Sequence, residues 1–151
     1  MSLGNLEQQI NDGIKAAMLA KEKTRLESLR AIKAAILLEK SKDGAESLSD
    51  QAVVKLIQKL VKQRKESAEI YAQQNRPELA ENELAEMAAM EPYLPKQLTE
   101  AEIESVVREV IAQVGASGPQ DMGKVMGAAN KQLAGQADGR MVSEIVKRLL
   151  N

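Results

Sequence analysis

The chain has almost no aromatic side chains with which to build a hydrophobic core. Tyr71 and Tyr93 are its only aromatic residues, since Phe and Trp are absent. Because 44% of the residues are nevertheless hydrophobic, the core must consist of Leu, Ile, Val, Ala and Met. Most of these residues, like the abundant Glu, Gln and Lys, favour helices, whereas the aromatic and β-branched bias of sheets is weak. The composition therefore predicts an all-α protein.

Apolar residues recur at helical spacing along the chain and predict seven helices and no strand. Four helices are expected before residue 91: residues 3–20, a second helix that ends in the polar loop 41–44, and residues 50–74 and 77–90. Three more are expected at about residues 99–114, 121–133 and 138–150. Helix-start signals support these limits, as capping boxes or single N-caps. These signals are Ser47 with Asp50, Thr99 with Glu102, Asp121 and Asp138.

A proline-rich segment separates the fourth and fifth predicted helices. Pro92 and Pro95 lie within residues 91–95 and forbid a continuing helix there. We therefore expect an N-terminal four-helix domain over residues 1–95. A small C-terminal three-helix domain is expected over residues 96–151.

Cysteine and histidine are both absent from the chain. Their absence rules out disulfides, thiolate catalysis and Cys or His metal ligands, and removes the commonest general base. Carboxylates for a Mg²⁺ site are available among the 22 acidic residues, although carboxylates on helices usually form a solvated face. We expect no catalytic residue, no metal and no cofactor. No apolar run approaches a membrane span, and the N-terminus lacks a signal-peptide layout, so we expect a cytoplasmic protein without a membrane partner.

Two arginines lie on apolar stripes of predicted helices, where a charge is costly unless it is paired. They are Arg30 on the second helix and Arg64 on the third. Glu83 and Glu91 occupy similar positions on the fourth helix, four residues to either side of Met87. The pattern predicts ion pairs between helices. The alternative is that the long arginine stems extend to water.

Two basic patches are candidates for contact with phosphates. Three lysines share one face of the third helix, Lys65 follows them, and no acidic residue lies among the four. On the sixth helix two lysines share a face with a glycine, which lets another molecule approach the backbone. The alternative interpretation is a solvated face for the first patch and helix packing for the glycine. The candidate residues are Lys55, Lys59, Lys62 and Lys65 in the first patch, and Lys124, Gly127, Lys131, Arg140 and Lys147 in the second.

Five short segments occur in a fixed order along the chain. They are Leu-Arg-Ala-Ile-Lys-Ala-Ala from Leu29, Lys-Gln-Arg-Lys-Glu-Ser from Lys62, Tyr-Leu-Pro-Lys-Gln-Leu from Tyr93, Asp-Met-Gly-Lys-Val-Met-Gly from Asp121 and Gly-Gln-Ala-Asp-Gly from Gly135. Together they resemble the YqeY family of bacterial proteins, and the resemblance covers nearly the whole chain. This family is related to the tail region of the B subunit of glutamyl/aspartyl-tRNA amidotransferase.

The resemblance implies an N-terminal helical domain joined to a small C-terminal helical domain that, in the amidotransferase, helps to grip tRNA. Residues of this chain match the shared tail motif, whereas Ala129 and Asn130 depart from the larger apolar residues common there. The family also carries a label of carbon–nitrogen ligase activity with glutamine as amide donor. No nucleophile with a neighbouring base is visible in the sequence to support that label. The matching residues are Gly123, Lys124, Gly127, Gly135, Asp138 and Gly139.

Three functions follow, in order of preference. The first is a non-catalytic accessory or tRNA-binding module, whose partners are tRNA or another translation or aminoacyl-tRNA component. The second is a helical protein-interaction scaffold that uses a methionine-rich surface. The third is a glutamine-dependent carbon–nitrogen ligase. The methionines in question are Met87, Met90, Met122 and Met126.

Overall fold

The computed structural model describes residues 5–151, and over this range the chain is all-α, as predicted. Seven α-helices occur there, together with short 3₁₀ turns at Glu91–Tyr93 and Pro119–Asp121. The predicted start of the first helix at residue 3 lies outside the described residues. None of the helices within residues 5–151 is both long and apolar enough to cross a membrane. The helices are α1 Asn5–Ala20, α2 Lys23–Asp43, α3 Asp50–Gln73, α4 Pro77–Met90, α5 Glu100–Val114, α6 Met122–Gln132 and α7 Gly139–Leu150.

The helices pack into two compact units, the first ending at Leu94 and the second beginning at Pro95. Each unit has its own core of buried aliphatic side chains. The first core consists of Leu6, Ile10, Leu29, Ile32, Ile36, Leu48, Val53, Ile57 and Met90. The second consists of Ile103, Val107, Val110, Val125, Ala129, Leu133, Val142, Ile145, Val146 and Leu150.

Two of the predicted helix caps form and two do not. Thr99 and Glu102 make the expected capping box, in which Thr99 N donates to Glu102 Oε1 at 2.9 Å. At α3 the cap is Ser49 instead of Ser47, because the helix begins at Asp50, two residues later than that box requires, and the Ser49 side chain accepts from Ala52 N. Asp138 caps α7 by accepting from Arg140 N at 3.3 Å.

Asp121, the remaining predicted cap, stabilises the loop before α6 instead. Its Oδ2 accepts a hydrogen bond from Ser117 N at 2.9 Å, and its side chain makes no cap bond to α6. A 3₁₀ turn at Pro119–Asp121 leads directly into the helix. The carboxylate is therefore used on the loop side of the helix start.

The structure pairs Arg64 with a carboxylate that was not predicted. Arg64 Nε lies 3.6 Å from Glu86 Oε1, and the two side chains are 18% and 20% exposed. Glu86 lies one turn beyond Glu83 on α4. Contrary to the predicted pairing, Arg30 is exposed, because α2 turns its opposite face to the core through Leu29, Ile32 and Ile36. Glu91 is also exposed, in the turn after α4.

A close contact between α1 and the end of the first unit involves a glycine. Gly13 is buried within α1, and a Cβ there would overlap the Tyr93 hydroxyl and lie 2.9 Å from Leu29 Cδ1. Tyr93 and Leu94 pack against the first core. The absence of a side chain at Gly13 therefore makes room for Tyr93. In this position Tyr93 also interacts with Arg25 of α2, because hydrogen bonding to Tyr93 raises the pKa of the Arg25 guanidinium above its usual value.

We expect Gly13→Ala to lower the free energy of unfolding of the first unit by about 1–2 kcal/mol. Overpacking costs about 1–3 kcal/mol, and the better helix propensity of Ala returns up to about 1 kcal/mol. Urea denaturation followed by circular dichroism measures the loss. Gly127→Ala is the matched control, because a Cβ there meets no atom within 4 Å. That control should raise stability, by up to about 1 kcal/mol. Equal effects of the two substitutions would contradict the packing argument.

In the second unit, Glu104 of α5 binds two arginines. It pairs with Arg108 on the same helix at 3.1 Å and with Arg148 of α7 at 2.5 Å. The hydrogen bond from Arg108, with a further contribution from Arg148, lowers the pKa of the Glu104 carboxyl. A lowered pKa in the folded state means that ionised Glu104 stabilises the second unit at neutral pH.

This stabilisation should be present above the usual glutamate pKa of about 4.3 and disappear as the pH falls through the lower pKa of the folded state. Amide hydrogen exchange in α5 and α7 at pH values from 6 to 3 measures it. We expect Glu104→Gln to lose less protection on acidification than the unchanged chain. Glu109→Gln, at an exposed position of α5, should follow the unchanged chain. Identical pH profiles for all three would show that the arginine pairs do not stabilise this unit.

Candidate functional site

One face of α6 exposes bare backbone between two lysines. Gly123, Lys124, Gly127 and Lys131 are all exposed. A Cβ at either glycine would meet no atom within 4 Å. The opposite face buries Val125, Ala129 and Leu133 in the second core. We call the exposed set Gly123, Lys124, Gly127 and Lys131 the α6 face.

The small Ala129 does not prevent close packing of α6. It is completely buried, and its neighbour Asn130 is exposed. The departure from larger apolar residues at these two positions therefore leaves α6 seated in the core. An exposed polar Asn130 also leaves the neighbouring α6 face open to solvent.

The loop that follows α6 explains several residues of the Gly-Gln-Ala-Asp-Gly segment. Gly135 has a φ of 77°, in the left-handed region that favours glycine. Its carbonyl accepts from Gln97 Nε2 at 2.6 Å, and the Gln136 carbonyl accepts from Leu98 N at 2.9 Å. With Asp138 as the cap of α7, this segment holds α6 and α7 in place. Its role in the second unit is structural.

The other C-terminal candidates lie on the solvent side of α7. Arg140, Lys147 and Arg148 are exposed, while Val142 and Val146 are buried on the other side. Arg148 is bound to Glu104, and Arg140 Nε lies 3.5 Å from Glu144. Lys147 has no ion pair with any residue in the part of the chain that the structure describes. It is therefore the α7 cation most available to an external anion.

The first basic patch lies on α3 in the first unit. Lys55, Lys59 and Lys65 are exposed, and Lys62 is half-buried. This patch and the α6 face therefore belong to different units.

The chemistry that these surfaces offer is contact between ammonium groups and anions. In the interior, the buried polar residue within residues 5–151 is Ser28, and its hydroxyl is used in the helix itself, where it donates to the Thr24 carbonyl at 2.8 Å. Within the same range the acidic side chains form no group of three that could hold a metal ion. The exposed lysines are suited to bind an anionic surface through charge.

Two features depart from the sequence-based expectations. Met90 is completely buried in the first core, so it is not part of a methionine-rich surface, and Met87, Met122 and Met126 are half-buried. A groove between α3 and α4 was not predicted. Its signal in the sequence is an excess of acidic over basic residues from Gln63 to Glu91.

Comparison with known proteins finds relatives of two kinds. The sequence pattern described as Yqey-like protein matches residues 7–150. Altered inheritance of mitochondria protein 41, mitochondrial, from Pyrenophora tritici-repentis is 31% identical over 91% of this chain and 76% of its own length. The protein of the same name from Meyerozyma guilliermondii is 35% identical over 76% of this chain and 61% of its own length. The cytoplasmic location expected for this chain stays a prediction.

A shorter similarity links the chain to an enzyme of tRNA metabolism. The E subunit of glutamyl-tRNA(Gln) amidotransferase from Thermococcus gammatolerans is 42% identical over 55 residues, which are 34% of this chain and 9% of that protein. Its counterpart from Aeropyrum pernix is 39% identical over 64 residues. The match over residues 7–150 covers nearly all of the chain, which therefore belongs to the YqeY family.

Proposed function

We propose that this chain is a non-catalytic accessory module that binds folded tRNA through the α6 face. The observation that carries the proposal is the exposed backbone at Gly123 and Gly127 between Lys124 and Lys131. The segment shared with the amidotransferase supports it, because that enzyme is named for a tRNA substrate. The segment is also close in length to the second unit.

The α6 face suits a phosphate backbone for geometric reasons. Lys124 and Lys131 are seven residues apart, which is about 10 Å along a helix. Between them the glycines let a sugar–phosphate strand approach closer than any side chain would allow. Such contacts determine affinity and position on the RNA without reading bases.

The chain is poorly equipped to stack unpaired bases. Tyr93 packs against the first core, and Tyr71 is half-buried. Because stacking on aromatic rings is the usual way to hold single-stranded RNA, a folded RNA recognised by its shape and phosphates is the better fit. We propose that Arg140 and Lys147 of α7, in the same unit as the α6 face, add further phosphate contacts.

The proposal does not extend to amide transfer. The segment shared with the amidotransferase is 9% of its E subunit, and similarity of a part does not carry the chemistry of the whole. Transfer of nitrogen from glutamine would need an activated nucleophile. We assign to this chain the binding of tRNA without the transfer of nitrogen.

We expect Lys124→Glu together with Lys131→Glu to weaken tRNA binding at least tenfold at about 50 mM salt, because two cations are replaced by anions. The decrease of log affinity with log salt concentration should become less steep, by about 1–2 in the magnitude of the slope. Filter binding with purified tRNA between about 50 and 200 mM salt measures both quantities. The control is Lys15→Glu with Lys42→Glu, which makes the same charge change at exposed positions of α1 and α2.

A second variant tests the bare backbone without a change of charge. Gly127→Met places a flexible side chain on the α6 face, at a position where its Cβ meets no neighbouring atom within 4 Å. It should weaken tRNA binding while leaving helix content unchanged. Absence of tRNA binding by the unchanged chain at about 50 mM salt would contradict the proposal. Equal losses in the Lys124/Lys131 and Lys15/Lys42 variants would do so too.

A further inference from the structure

A groove of about 490 Å³ lies between α3 and α4 in the first unit. We infer that it is a docking site for a basic segment of a partner protein, which places a lysine or arginine side chain against Ile70. This inference is independent of the proposed tRNA binding, since it concerns a different surface with the opposite charge. The groove is lined by Gln63, Arg64, Glu66, Ser67, Ile70, Glu83 and Glu86.

The charges of the groove favour a cation. Arg64, the basic residue among those that line the groove, is paired with Glu86 at 3.6 Å. Glu66 and Glu83 have no ion pair with any residue of the described range 5–151. The charge of Arg64 is therefore already neutralised by Glu86. The carboxylates of Glu66 and Glu83 remain available to an incoming positive charge.

The sequence around the groove extends this charge pattern. Seven acidic and three basic residues lie between Gln63 and Glu91, in a chain whose net charge is −1. The chain segment that contains the groove residues is therefore more acidic than the chain as a whole. An acidic field raises the local concentration of cationic partners.

An apolar contact selects a long aliphatic cation over a small one. Ile70 lines the groove and is 52% exposed. A lysine or arginine has an aliphatic stem that can cover Ile70 while its charged head reaches Glu66 and Glu83. A bare metal ion gains nothing from Ile70, and within residues 5–151 no metal-binding group of carboxylates forms. A basic polypeptide segment satisfies both the apolar and the charged part of the groove.

A nine-residue amidated peptide of three Lys-Leu-Ala repeats is a suitable probe. Titrated into the full-length chain at about 50 mM salt, it should cause saturable NMR shifts centred on residues 63–70 and 83–86. A counterpart with Glu at each Lys position should cause none. Glu66→Gln with Glu83→Gln should weaken peptide binding at least fivefold, and Ile70→Ser should weaken it as well. The same two glutamate substitutions should leave tRNA affinity within about twofold, which separates this inference from the proposed function.

The control variant is Glu69→Gln with Glu81→Gln. It removes the same charge from exposed positions of α3 and α4 that do not line the groove. Its peptide affinity should stay within twofold of the unchanged chain. An equal loss in both variants, or shifts centred elsewhere, would overturn the inference. Self-association at low salt that disappears in the Glu66/Glu83 variant would also overturn it, because a second copy would then fill the groove.

Discussion

Both units depend on packing aliphatic side chains closely enough to replace the aromatic rings that the chain lacks. Small cores of Leu, Ile, Val, Ala and Met must be close-packed, because an empty space loses van der Waals contacts. The residues at the edges of these cores must therefore fit closely as well. Gly13 leaves room for the ring of Tyr93 in the first unit. In the second unit, hydrogen bonds from Gln97 and Leu98 to residues 135 and 136 hold the segment before α5. Each side of the Leu94–Pro95 junction is thus fixed by its own unit.

Because the cores consist of aliphatic side chains, the groups that can bind other molecules lie on the surface, at the α6 face and in the α3–α4 groove. The α6 face combines unobstructed backbone with two lysines, whereas the α3–α4 groove combines an exposed isoleucine with unmatched carboxylates. One surface suits a polyanion and the other a basic polypeptide. A module that holds an RNA by one surface and a protein by the other would be an accessory to chemistry carried out elsewhere.

Helical periodicity was sufficient to predict the seven helices, because each buries one apolar face. The Thr99–Glu102 box could also be predicted, since both its bonds are local. Contacts between helices could not. The Arg64 partner is Glu86 because of how α3 and α4 pack. The apolar stripe of α2 that contains Arg30 is not the one that the core uses, since the buried apolar residues of this helix are Leu29, Ile32 and Ile36. The lysines of the α6 face were identified from spacing, whereas their accessibility and the groove emerge only from tertiary packing.

If tRNA lies on the α6 face, the backbone amides of this helix should be shielded from solvent in the complex. Hydrogen–deuterium exchange of the whole chain, with and without saturating tRNA, measures that shielding. We expect slower exchange on tRNA addition in α6, above all from Gly123 to Lys131, and little change in the groove segments 63–70 and 83–86. Unchanged exchange in α6 under conditions where tRNA is bound, or protection confined to the groove, would show that tRNA does not lie on the α6 face.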